Sequence, residues 1–244
     1  MFFAIFSILV MLFIVLVPVA FVGGIIFLII RASKKGQQRV QDFQNFARQS
    51  NWQYAGKVPL SSLRGTEYLY LFSLGNTGNS FNDAFTIKLG TPEYKRIENL
   101  IYGTINNFQV SIFDYIYTTG SGKNYKGHSQ TVVMLESPAL NLPLFTMRPE
   151  GIWQEVGQVF GGQDIDFTSH PIFSKKYLLR GADENRVRYI FNQTALSFLE
   201  TTTDFCIEGG GNRLFAYRQH VSIDPPRFQM IIDEALRTAN LLSR

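Results

Sequence analysis

No charged side chain occurs before Arg31. The run Phe2 to Ile30 is apolar nearly throughout, with Ser7 its one hydroxyl residue and Pro18 and the pair Gly23 and Gly24 its only helix breakers. A helix needs about 20 apolar residues to cross a hydrocarbon core of roughly 30 Å, so the run is long enough to span with some tilt. A cleaved signal peptide fits less well. It calls for basic residues at the start and a short apolar core before small residues, whereas this run continues past Ala20 as Phe-Val-Gly-Gly-Ile-Ile. A lipid-modified leader needs a cysteine near its end, and the single cysteine is Cys206. Residues 1–31 are therefore expected to form a transmembrane anchor.

Arg31, Lys34, Lys35 and Arg39 follow the run, with no acidic residue before Asp42. Basic residues flanking a span favour the cytoplasmic side. They predict a single-pass protein of an inner membrane with its C-terminal domain in the cytoplasm. The same four residues account for the whole net charge of +4, since the chain holds 23 Lys and Arg against 19 Asp and Glu. Residues 40–244 are formally neutral, which argues against nucleic acid as a partner. Membrane lipid, met through the N-terminal helix, is the expected partner, together with a protein whose identity the sequence does not name. One cysteine excludes an internal disulfide and any multi-cysteine zinc site. A buried structural thiol is the expected role of Cys206.

The remainder reads as α+β: a transmembrane helix followed by antiparallel-sheet domains with packed helices. Residues 32–51 form a juxtamembrane amphipathic helix, with Val40, Phe43, Phe46 and Ala47 on one face and a break suggested by Ser33 and Gly36. Residues 52–161 form a β-rich subdomain with strands at 99–104, 108–117, 130–136 and 143–147. Asn106-Asn107 makes its first hairpin turn, 75–80 a loop, and 150–159 a closing helix. Gly161 and Gly162 mark a joint. The second subdomain, 162–244, runs as a strand at 176–180, a helix opening at Asp183 and broken near Asn192, and a hairpin of 204–208 with 213–219. A last helix starts from Pro225-Pro226.

From His170 to Glu184 the chain reads HPIFSKKYLLRGADE. This segment resembles uncharacterised bacterial membrane-anchored proteins that carry a hydrophobic N-terminus and a soluble domain of unknown function. The likeness extends to Phe113-Asp114-Tyr115, to the turn Gly120-Ser121-Gly122-Lys123 and to Glu208-Gly209-Gly210. It implies a bacterial source and one evolutionary unit, and it brings no activity, cofactor or site residue.

Motifs that suggest chemistry fail on spacing. Gly120-Ser121-Gly122-Lys123 looks like the end of a phosphate-binding loop, but Tyr117 stands where that loop needs glycine and Asn124 where it needs Ser or Thr. Gly209-Gly210-Gly211 precedes a strand, not a helix, so it is not a dinucleotide fingerprint. Asp164, Asp166 and His170 offer metal ligands without the spacing of a calcium or zinc site. No Ser stands in a Gly-x-Ser-x-Gly elbow. No catalytic, metal or cofactor site is predicted. The candidate ligand face consists of Tyr115 and Tyr117, which share one side of a strand, together with His170. The expected function is a membrane-anchored, non-enzymatic binding or scaffold module. The alternative is a tethered, hydrolase-like enzyme whose site forms only in three dimensions.

Overall fold

The computed structural model describes residues 2–63, 69–73, 95–120, 124–151 and 164–243; for residues 2–16, 18, 70 and 73 it describes the backbone alone. Two units are distinct, Met1–Asn45 and Phe46–Arg244. Helix α1, Phe2–Gln49, makes up all that is described of the first and reaches into the second.

The break expected at Ser33 and Gly36 is absent, and α1 runs through both. A lone helical glycine costs only about 1 kcal/mol, and Lys34, Lys35, Gln37, Gln38 and Arg39 around it are good helix formers. The expected anchor at 1–31 starts in residues whose side chains lie outside the described set. Among the described residues, no helix is long and apolar enough to cross a membrane.

The second unit is built on one sheet of eight strands: β1 Gln53–Val58, β2 Lys95–Ile105, β3 Phe108–Thr119, β4 Lys126–Glu136, β5 Leu142–Pro149, β6 Tyr177–Gly181, β7 Cys206–Gly211 and β8 Arg213–Tyr217. Their order is β1-β2-β3-β4-β8-β7-β5-β6, and every neighbouring pair is antiparallel. The α+β class is thus as expected. The β7–β8 hairpin sits between β4 and β5, so strands from 52–161 and 162–244 alternate within a single sheet.

Short elements complete the unit: α2 Tyr70–Ser73, α3 Pro171–Lys176, α4 Glu184–Ile190, α5 Gln193–Thr201 and α6 Phe228–Leu242. Local chemistry sets their ends. Asp183 caps α4 by accepting from the Arg186 N–H at 3.0 Å, and Asn192 caps α5 through the Ala195 N–H at 3.1 Å. Asn106 has φ of 52°, as a two-residue hairpin turn requires. The strands at 99–104, 108–117 and 130–136 are longer than expected because pairing carries β3 and β4 out to Thr119 and Lys126. The expected loop at 75–80 and helix at 150–159 fall mostly on residues outside the described set.

Directly opposed residues of an antiparallel pair point to the same side, so the register sorts the sheet into two faces. One carries Ile112, Val133, Leu135, Ala216, Ile207, Met147 and Leu179 and packs α3 to α6. Ring contacts tie it to the helices, with Phe145 meeting Phe191 at 5.1 Å and Tyr177 meeting Phe173 at 5.7 Å. The other carries Ile97, Phe113, Tyr115, Tyr117, Val132, Met134, Cys206, Phe215 and Tyr217, beneath Leu69, Leu71 and Phe72.

Candidate functional site

Helix α5 buries Ala195, Leu196 and Leu199 against the unit. Spacing of three and four residues then turns Gln193, Thr194, Ser197, Phe198 and Thr201 the other way. With Arg237 of α6 they line an open groove of about 490 Å³. The Arg237 guanidinium lies 4.3 Å above the Phe198 ring.

His170, named by the sequence, stands just behind this groove. It occupies the N-cap position of α3 and is 8% exposed. Its Nδ1 is 3.1 Å from Ser169 Oγ and its Nε2 is 3.3 Å from Ser197 Oγ. A hydroxyl beside an imidazole is the first half of a nucleophilic triad. The second half is missing, because Ser169 offers a hydroxyl where a carboxylate would stabilise an imidazolium. Ser197 also sits inside a helix, where backbone N–H groups are committed to the helical ladder and form no oxyanion hole. The arrangement orients a hydroxyl toward the groove.

Tyr115 and Tyr117 are placed elsewhere, on the face opposite the helices. Both are fully buried, so they are core rather than the walls of an open groove. They begin a stack of four rings: Tyr115 to Tyr117 at 5.3 Å, Tyr117 to His128 at 5.0 Å, and His128 to His220 at 4.4 Å. Burial raises the pKa of Tyr115, and the neighbouring Tyr117 adds to the rise. His220 is exposed with φ of 60°, and its N–H donates to Oε1 of the buried Gln130 at 3.0 Å. The three candidates therefore separate into a stacked pair of tyrosines and an isolated histidine.

The same face holds a buried polar group that sequence reasoning missed. Glu208 on β7 is fully buried and accepts from Tyr217 Oη at 2.6 Å and from the Leu71 N–H at 2.9 Å. Burial pushes the Cys206 thiol up to about 12; the Glu208 carboxylate adds to the rise and the Arg148 guanidinium opposes it. Tyr217 is raised well above its ordinary value by burial first and Glu208 second. Cys206 is thus an inert, protonated core thiol, as its setting in the sequence suggested. Glu208 did leave a signal, a charge inside the apolar strand Phe-Cys-Ile-Glu-Gly.

The remaining sequence motifs have ordinary structural roles. Gly120 has φ of 81° at the end of β3, and residues 121–123 lie outside the described set. Gly211 supplies the positive φ of the β7–β8 turn, whereas Gly209 is needed for packing, since a Cβ there would enter the Phe145 ring. Asp164 Oδ1 accepts from the Leu179 N–H at 2.9 Å, and burial raises its pKa. Among the described residues no cluster of His, Cys, Asp and Glu is placed to hold a metal ion. Arg31, Lys34 and Lys35 are exposed on α1, and the Arg39 guanidinium lies 5.1 Å from the Phe43 ring.

No protein-family model and no curated protein sequence matches the chain. Among solved structures, the chain is similar to the mycobacterial trehalose monomycolate transport factor A, TtfA, with a TM-score of 0.50 and 12% identity over 84% of this chain and 92% of that one. At that identity the likeness is one of fold.

Proposed function

We propose that the chain is a membrane-anchored, non-enzymatic binding or scaffold module of the resembled bacterial family, held by α1 at the cytoplasmic face of an inner membrane. The observation that carries this reading is the surface of α1. Val19, Phe21, Phe27, Leu28 and Ile29 are exposed on all sides of the helix, and Arg31, Lys34, Lys35 and Arg39 follow at once. Apolar side chains all around a helix fit lipid better than water, and the basic flank fits a cytoplasmic leaflet. The groove and the buried polar face then belong to a domain that recognises a partner near that surface. The solved structure of similar fold is named a transport factor, and an accessory role beside a membrane transport system is the form such a name would take here.

Membrane fractionation with protease protection tests the reading. Resistance to alkaline extraction, with residues 46–244 digested only when the cytoplasmic side is opened, is the expected result. Release of the intact chain by alkaline carbonate would refute it. A crosslinked pull-down of the full-length chain from native membranes should then yield a stoichiometric protein partner.

The tethered-hydrolase alternative draws on one observation, the contact between Ser197 and His170. It requires Ser197 to react with a fluorophosphonate probe. Labelling that persists in Ser197→Ala would discard it.

A further inference from the structure

The groove between α5 and α6 holds a guanidinium that its acidic neighbours leave alone. Asp233 and Glu234 lie within about one helical turn of Arg237. Asp233 accepts from Gln229 Nε2 at 2.8 Å, while Glu234 takes Arg218 Nη2 with both oxygens at 2.8 and 3.2 Å. Among the described residues no carboxylate pairs with Arg237 and none lines the groove. The cation–π contact with Phe198 places the guanidinium over the ring and uses none of its N–H donors, which suits an oxyanion.

The hydroxyl side of the groove is also set. When His170 carries its proton on Nε2, Ser169 Oγ donates to Nδ1 and Nε2 donates to Ser197 Oγ. The Ser197 hydroxyl proton is then directed away from His170 and is left for a ligand in the groove that Ser197 lines. A planar carboxylate would be satisfied by the guanidinium fork alone. Donors arriving from both walls suit a tetrahedral oxyanion with three accepting oxygens.

We propose that this groove binds a phosphoryl group, with Arg237 as the principal ligand and Ser197, Thr194 and Gln193 as supporting donors. The phosphoryl oxygens of a soluble phosphomonoester and of a phospholipid headgroup share that chemistry. The site goes beyond the membrane reading and does not depend on it.

The test is calorimetric titration of the full-length chain in non-ionic detergent, with inorganic phosphate, with glycerol 3-phosphate, and with micelles doped with phosphatidic acid. Binding of the ester or the doped micelles is expected, weakened about tenfold or more by Arg237→Gln and only partly restored by Arg237→Lys. Ser197→Ala should weaken it a few-fold and lower the unfolding midpoint by a few degrees, because His170 Nε2 loses its acceptor. Ester binding assigns a soluble ligand, and binding to doped micelles alone assigns a headgroup. Binding of inorganic phosphate only, affinity unmoved by Arg237→Gln, or no heat in any arm would overturn the proposal. Arg237→Gln leaves α1 and its basic flank intact, so fractionation of the same variant reports separately on the anchor.

Discussion

The two faces of the sheet are covered in different ways, and their interiors differ accordingly. The helical face is almost wholly apolar. Its buried carboxylate, Asp114, accepts from Asn99 Nδ2 at 2.9 Å and Thr131 Oγ1 at 3.0 Å, and Thr131 Oγ1 in turn accepts from the Ile223 N–H at 2.8 Å. That polar cluster pins the turn leading into α6. The opposite face buries Gln130, Thr146, Arg148 and Glu208, and the described part of its cover includes the stretch 69–73, with Leu60 and Leu63 packed against the same cluster. One main-chain N–H from that stretch meets Glu208. A long helix has spent most of its own backbone groups and brings mainly side chains to a sheet, whereas the single turn α2 keeps the unpaired N–H and C=O groups of a helix end, which buried polar residues can satisfy. Lys95 Nζ donating to the Phe72 carbonyl at 3.0 Å is the same exchange in reverse.

The largest effect should come from Glu208→Ala, which leaves the Leu71 N–H and the Tyr217 hydroxyl without their acceptor. A loss of about 4 kcal/mol is expected for two buried donors left unsatisfied, read from urea unfolding; under 1 kcal/mol would mean that the face does not rely on its carboxylate. On the helical face, Leu214→Ala removes packing alone and should cost about 3 kcal/mol. The two variants should also differ in kind. Limited proteolysis in native buffer is expected to cut near 69–73 in Glu208→Ala and not in Leu214→Ala.

Gly209→Ala forces a methyl group against Phe145 and should cost about 2 kcal/mol, with thermal unfolding as the readout. A neutral result would show that Phe145 can rotate away. Tyr217→Phe removes one donor to Glu208 while keeping the ring, so about 1 kcal/mol is expected. It should be nearly additive with Leu214→Ala across the sheet and non-additive with Glu208→Ala.

The smallest effect is a pH slope. Cys206 rises from an ordinary 9.0 to about 12 in the fold, so above pH 9 the unfolded chain loses a proton that the folded chain keeps. The stabilisation is complete below 9 and drains away as pH climbs toward 12. Stability measured from pH 8 to 11 should fall, and less steeply in Cys206→Ala. Tyr217, raised in the same direction, leaves a residual slope in that variant.

Local features were legible because their causes are local. The Asn106-Asn107 turn, the Asp183 cap, the break at Asn192 and the α6 stripe of Phe228, Ile231, Ile232, Ala235, Leu236, Ala239 and Leu242, of which Leu236 is only half-buried, depend on residues a few positions apart. The groove was not legible. Ser197 and His170 lie 27 positions apart, and Arg237 reads in one dimension as an ordinary salt-bridge partner of Asp233 four residues earlier. Only the structure shows Asp233 turned to Gln229.

Period, composition and capping determined the α+β class, the neutrality of residues 40–244, the inert setting of Cys206 and the apolar run of α1, since each is a property of neighbouring residues. Tertiary structure decided the strand order, the separation of His170 from Tyr115 and Tyr117, and the pairing of Glu208 with a main-chain N–H 137 positions away. Antiparallel strands present similar edges to any partner, so which edge is met is settled by how all the faces pack at once.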